Sequence, residues 1–174
     1  MTSPHEAATD LSAFAGSWTL DPSHTAIVFL TKAVWVLNVR GAFQAIEGSG
    51  TVGADGSVSG SIVIDAASVD TKKKKRDDHV RTADFFEVTA HPTITFSLTE
   101  AHPKGAGKVE LAGTLTIRGT TRPVTLLADV SSTDGSVTIS AELDIDRGEW
   151  GLTWAKLGAA LQNHVVIDAR FTKS

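Results

Sequence analysis

Cysteine is absent from this 174-residue chain. That removes disulfide frameworks, thiolate nucleophiles and Cys-ligated zinc together. A basic excess is missing too. The net charge is -4, whereas domains that displace counterions from a phosphate backbone carry a clear positive balance, so nucleic acid is not an expected partner. No apolar run approaches the roughly 20 residues that a membrane-spanning helix needs. The segment from Met1 to Phe14 mixes Pro4, His5, Glu6 and Asp10 with alanines and has neither the basic nor the apolar region of a secretion signal. Residues 1–16 are read as a flexible N-terminal lead, and a cytoplasmic location is predicted.

Motif chemistry is sparse. The six histidines include no HExxH and no pair at helical metal-site spacing, so no metal is expected, although His24, His79 and His164 are left open as a three-dimensional cluster. There is no GxSxG elbow, phosphate loop or dinucleotide glycine signature. No catalytic residue is assigned and no cofactor is called for.

What the chain does contain is an ordinary globular composition, with 41% hydrophobic and 21% charged residues, enough for one domain over residues 17–174. Its dominant signal is period-two alternation, which places successive side chains on opposite faces of a strand. Val58, Gly60, Ile62, Ile64 and Ala66 share one face. So do Ile94, Phe96 and Leu98, then Val109, Leu111, Gly113, Leu115 and Ile117. Further runs are Val124, Leu126, Ala128 and Val130, then Val137, Ile139, Ala141, Leu143 and Ile145, and last Val165, Ile167, Ala169 and Phe171. Asp55-Gly56 and Asp134-Gly135 carry hairpin-turn chemistry, so adjacent strands are predicted to pair antiparallel.

Two segments break the pattern. Thr25 to Val39 becomes too continuously apolar for a one-sided strand, and its middle is predicted to cross the barrel end as an irregular or short helical piece. Asp77 to Phe86 lacks strand propensity, opens with two carboxylates and reads as a short helix, with Pro92 separating it from the next strand. The whole is an all-β chain of about eight antiparallel strands, each apolar on one face. A sheet closed into a barrel buries all of those faces, and a sandwich is the alternative. A barrel of about eight strands holds either packed side chains or one small ligand, and alternation does not choose between them.

An ordered set of stretches resembles the YceI-like family of polyisoprenoid-binding, lipocalin-like domains. They are WTLDPSHT (Trp18–Thr25), Val39-Arg40-Gly41 with Phe43, Ser68-Val69-Asp70-Thr71 and RDDHVRTADFF (Arg76–Phe86). Pro92 to Phe96, GTLTIRGTTRPVTL (Gly113–Leu126) and Ile145-Asp146-Arg147 with Trp150-Gly151-Leu152 follow, so the resemblance runs from Trp18 to Phe171. It implies a lipocalin-like barrel whose apolar lumen holds a long prenyl chain, of isoprenoid quinone or prenyl phosphate type. One departure lies in Thr31 to Asn38, where relatives often have a histidine near Ala33 and this chain is apolar, which implies an altered lumen entrance.

The resemblance turns inward apolar residues, otherwise ordinary core, into expected ligand contacts. These are Phe29, Trp35, Phe43, Ile64, Phe85, Phe86, Phe96, Leu98, Leu111, Leu115, Ile117, Leu126, Ile139, Leu143, Trp154 and Ile167. Phe96 and Leu115 are placed on the inward faces of neighbouring strands. His24, Arg76, His79 and Arg81 are the expected head-group contacts. Each has a plainer explanation. His24 in Asp21-Pro22-Ser23-His24 can lock a turn, and the charges of Arg76 to Asp84 can serve their own helix. Lys72 to Lys75 suit a diphosphate, an anionic lipid surface or simply solvent. Each buried methylene contributes roughly 0.8 kcal/mol and micromolar affinity needs about 8 kcal/mol, so the tail is expected to dominate.

The predicted function is non-enzymatic binding, sequestration or transport of an isoprenoid lipid, with transient membrane-surface contact and homodimerisation left open. An enzyme using Asp21, His24, Asp77 and His79, and a packed structural module without ligand, are the alternatives.

Overall fold

In the computed structural model, which describes residues 11–33, 37–133, 135–156 and 159–174, each alternating run becomes a strand. The strands are β1 (Gly16–Leu20), β2 (Ala26–Ala33), β3 (Leu37–Val52), β4 (Val58–Asp70) and β5 (Thr93–Gly105). They continue as β6 (Lys108–Ile117), β7 (Thr120–Thr133), β8 (Ser136–Asp146) and β9 (Gln162–Lys173). All pairings are antiparallel in the order β1-β3-β2-β9-β8-β7-β6-β5-β4, and pairing of β3 with β4 closes the sheet.

Nine strands make an eight-position barrel because β1 and β2 occupy one position in tandem. β1 pairs with β3 at Gly16↔Val52 to Thr19↔Ser49 and with β9 at Trp18↔Lys173 to Leu20↔Phe171. β2 lies between the same two strands further along, from Ile27↔Phe43 to Ala33↔Leu37 and from Ala26↔Asp168 to Leu30↔His164. The break between them is a 3-10 turn at Pro22–His24. Proline has no N–H for a ladder, so the strand is interrupted there and resumes in the same direction.

The two segments that broke the alternation end differently from expectation. Most of Thr25 to Val39 is ordinary hairpin ladder rather than an irregular or helical crossing, while Val34 to Val36 lie outside the described residues. Its apolarity has two sources, since Ile27 and Phe29 point into the barrel while Leu30 faces outward and is 42% exposed. The helix, α1, spans Lys74–Val80 rather than 77–86. Lysine is a good helix former, so the basic run enters the helix. Arg81 to Phe86 instead form turns, with Phe85 N–H donating to Thr82 O at 2.9 Å and Phe86 N–H to Val80 O at 3.1 Å.

The β3–β4 hairpin closes as predicted at Asp55-Gly56. Gly56 has φ 85° and Asp55 Oδ1 accepts from Ser57 N at 3.0 Å. At the β7–β8 turn Thr133 pairs with Ser136 and Gly135 has φ 73°, with Asp134 outside the described residues. Leu11–Phe14, within the segment read as a lead, form a 3-10 turn whose Leu11 is buried against Val109, Leu111, Leu126, Ala128 and Ala141. Trp18 Nε1 donates to Phe14 O at 2.8 Å and ties that turn to β1. A second cluster, with Ile64, Ile94, Ile117, Trp150 and Leu152, packs around the other half of the barrel.

Candidate functional site

The inward faces of the strands do not meet. They enclose a cavity of about 690 Å³, within the roughly 300–1,000 Å³ typical of small-molecule sites. Every apolar residue expected on the ligand lies in its wall except Trp35, which is outside the described residues. Phe29 comes from β2, Phe43 from β3, Ile64 from β4, and Phe96 and Leu98 from β5. Leu111, Leu115 and Ile117 come from β6, Leu126 from β7, Ile139 and Leu143 from β8, and Ile167 from β9. Phe96 and Leu115 are direct cross-strand partners.

Two ends can be distinguished. At the end carrying the β3–β4 and β5–β6 turns, Leu11 and Phe14 contribute to the wall. At the other end, the turns that follow α1 bring Phe85 and Phe86, and the segment after β8 brings Trp154, into the cavity wall. Phe29, Phe43 and Phe86 form an aromatic line with centroid separations of 5.6 and 5.4 Å. Trp154 packs 4.6 Å from the His79 ring and 5.2 Å from Phe85.

The head-group candidates separate. Arg76 and His79 line this end of the cavity, whereas His24 and Arg81 do not. His24, with a side chain 60% exposed, sits on the Pro22–His24 turn with Nδ1 2.7 Å from Asp21 Oδ2, and Ser23 Oγ donates to Asp21 Oδ1 at 2.7 Å. The Ser23 hydroxyl, followed by His24, holds the Asp21 carboxyl below its ordinary value. Arg81 stitches a bulge. Register jumps from Ala42↔Asp70 to Gln44↔Asp65, and Arg81 donates to Ala67 O and Val69 O at 2.9 and 3.1 Å. A guanidinium spanning two carbonyls of an irregular strand fits its fork of donors, and leaves it no route to the lumen.

The other polar groups are likewise spoken for. Asp77 is 7% exposed, and its Oδ1 accepts from Thr71 N at 2.8 Å and Thr71 Oγ1 at 2.6 Å. Arg76 donates to Thr71 Oγ1 and O at 2.7 and 2.8 Å, so Ser68 to Thr71 and the start of α1 are one hydrogen-bonded unit. The three histidines do not form a cluster. His24 pairs with Asp21, His79 with Asp84 and His164 with Asp144, and no metal-holding group occurs among the described residues. The Asp144 hydrogen bond raises the His164 pKa above its ordinary value.

Arg147 is a buried polar cavity residue that sequence reasoning did not single out as a site. It opens a 3-10 turn, Arg147–Trp150, capped by Asp146 Oδ1 accepting from Gly148 N at 2.8 Å. Trp150 Nε1 donates to Leu115 O at 2.9 Å, anchoring that turn to β6. Arg147 is 8% exposed and donates from Nε to Ala160 O at 3.1 Å and from Nη1 to Leu152 O at 2.6 Å. Burial lowers its pKa from the ordinary value. The available signal was its place after a clean strand in Ile145-Asp146-Arg147, which says nothing of burial.

A closed antiparallel barrel around a largely apolar cavity, with a short helix at one end, is the class of fold that this chain adopts. The YceI-like domain matches residues 18–172, and the chain belongs to that family. A UPF0312 protein of Vibrio cholerae is 31% identical over 109 residues, 62% of this chain, which spans 58% of that relative's length. Burkholderia cenocepacia BcnA shares the fold with a TM-score of 0.77 at 24% identity, covering 87% of this chain and 98% of that one. A polyisoprenoid binding domain from Saccharophagus degradans, implicated in plant cell wall breakdown, superposes with a TM-score of 0.72 at 16% identity, covering 90% and 98%.

Proposed function

We propose that this chain binds one long-tailed apolar small molecule, an isoprenoid lipid of quinone or prenyl phosphate type, in the barrel lumen and carries or sequesters it without covalent chemistry. The observation that carries this is the cavity of about 690 Å³ walled by the inward aliphatic and aromatic faces of the barrel. A packed structural module would fill that space at interior density instead. The same fold in the Saccharophagus degradans polyisoprenoid binding domain supports an isoprenoid occupant. An enzymatic role would need carboxylate and imidazole groups converging on the cavity. Asp21 and His24 meet away from it, Asp77 is committed to Thr71, and of the four candidate groups His79 alone reaches the wall, held by Asp84.

Organic extraction of protein purified in its folded state, followed by mass spectrometry, is expected to release a prenyl lipid, and delipidated protein is expected to bind prenyl quinone or prenyl phosphate in titration. A lipid-free extract together with no binding of either ligand overturns the proposal.

A further inference from the structure

Six basic side chains line the cavity, Lys73, Lys75, Arg76, His79, Arg147 and Lys156, and no aspartate or glutamate does so among the described residues. The neighbouring lysines behave differently. Lys72 pairs with Asp70 at 3.2 Å and Lys74 with Asp78 at 2.8 Å, whereas Lys73, Lys75, Arg76, Arg147 and Lys156 have no ion pair among the described residues. Apart from His79, which pairs with Asp84, the cations that face the cavity lack a carboxylate partner among the described residues, whereas their neighbours Lys72, Lys74 and Arg81 have one.

Arg147 makes this more than a solvated rim. A guanidinium stays charged in proteins, and burying a charge without an opposite one is costly. Its Nε and Nη1 are spent on backbone carbonyls, while Nη2 is buried with no hydrogen-bond partner. Asp146, its neighbour in sequence, is turned to cap Gly148. The guanidinium carbon lies 5.1 Å from the centroid of the Phe85 ring, itself part of the cavity wall. A buried donor left open is costly, and an acceptor that arrives with a ligand would satisfy it.

We propose that this end of the barrel is built for an anionic head group, a phosphate or carboxylate that meets Arg147 and Arg76 inside Lys73, Lys75 and Lys156 while the tail fills the apolar lumen. This rests on the lipid-binding function proposed above and adds the charge of the ligand. A neutral carbonyl could satisfy Nη2 alone but leaves the surrounding cations uncompensated. An anion serves both, and charge-assisted bonds to guanidinium are the stronger kind.

The test is titration of delipidated full-length protein with two pairs sharing a tail, farnesyl phosphate against farnesol and oleate against oleyl alcohol. The charged member of at least one pair is expected to bind roughly tenfold tighter or more than its alcohol. A preference in the first pair alone assigns phosphate, in the second alone carboxylate, and in both a general anion site. Arg76→Gln and Arg147→Gln are each expected to weaken binding of the charged member more than binding of its alcohol, and so to erase most of the preference. Arg147 also holds Leu152 O and Ala160 O, so if that variant does not fold, Arg76→Gln and the wild-type pairs decide. Equal affinity for charged and neutral members overturns the anionic head group and leaves lipid binding standing. Failure of all four ligands overturns lipid binding itself.

Discussion

The ring of Phe29 lies directly over its cross-strand partner Gly41, where a Cβ would stand 2.1 Å from Phe29 Cζ. Glycine in a strand interior weakens it, and here the missing side chain is what lets the ring lie flat against the wall. From there Phe29 reaches Phe43, and Phe43 reaches Phe86, so the aromatic line at the helix end begins at Gly41. Gly41→Ala is expected to push Phe29 off the wall and cost about 1–3 kcal/mol, the usual scale of overpacking. Phe29→Leu should recover part of that loss in the double variant. Thermal unfolding of both singles and the double measures the coupling, and additive losses would contradict it.

Leu115 and Phe96 face each other across β6 and β5 with the cavity between them and the opposite wall. A larger side chain there has space to enter. Leu115→Trp is therefore expected to fold with a loss smaller than the roughly 1–3 kcal/mol of overpacking in a filled core, and to abolish lipid binding. Unfolding curves and prenyl-lipid titration of the variant check both parts. Retained binding would place the ligand elsewhere.

Asp77 and His24 make a contrasting pair of polar positions. Asp77→Ala strips two donors of buried Thr71 of their acceptor and loosens the residue that orders Arg76, so a loss of about 1–3 kcal/mol is expected from denaturant unfolding. His24→Ala removes an exposed partner of Asp21 away from the cavity and is expected to leave lipid affinity unchanged. A large affinity loss in folded His24→Ala would mean that the ligand reaches the Pro22–His24 turn.

His164 sets a pH dependence of defined sign. Its pKa is raised by hydrogen bonding to Asp144, with Glu142 adding attraction. A group with a raised folded-state value contributes stability that is complete below its unfolded value near 6.5 and fades as pH rises through the folded value. The melting temperature of wild type relative to His164→Gln is expected to be highest below pH 6.5 and to converge with it on the alkaline side. Melting curves from acid to mildly alkaline pH read this directly, and a difference that grows with pH would reverse the assignment.

Much of the wall was legible in advance because alternation is a local property. The side chains that line the cavity from β8, Val137, Ile139, Ala141, Leu143 and Ile145, are the ones spaced two apart in sequence. The helix was found but placed late. Two adjacent carboxylates resemble a helix start, and nothing local reveals that Asp77 is held by Thr71 from the preceding strand. His24 and Arg81 stand among the head-group candidates because charge and local position do not show which way a side chain faces; one locks a strand break and the other a strand bulge.

The sequence by itself determined the six strands β4 to β9, which face of each is apolar, where the Asp55-Gly56 hairpin turns and which family the ordered motifs belong to, whereas β1 to β3 emerged only with the fold. Only the tertiary structure decided that the lumen is open. Barrel radius depends on the number and stagger of all the strands together, so whether inward side chains meet is a property of the closed ring and of no single run. It likewise decided that β1 and β2 share one position and that Arg147 is buried beside Phe85. The arginine follows its strand as a surface residue would. It becomes an enclosed charge because β8 ends at the mouth of the cavity and the carbonyls of Leu152 and Ala160 close on its guanidinium, an arrangement fixed by tertiary contacts.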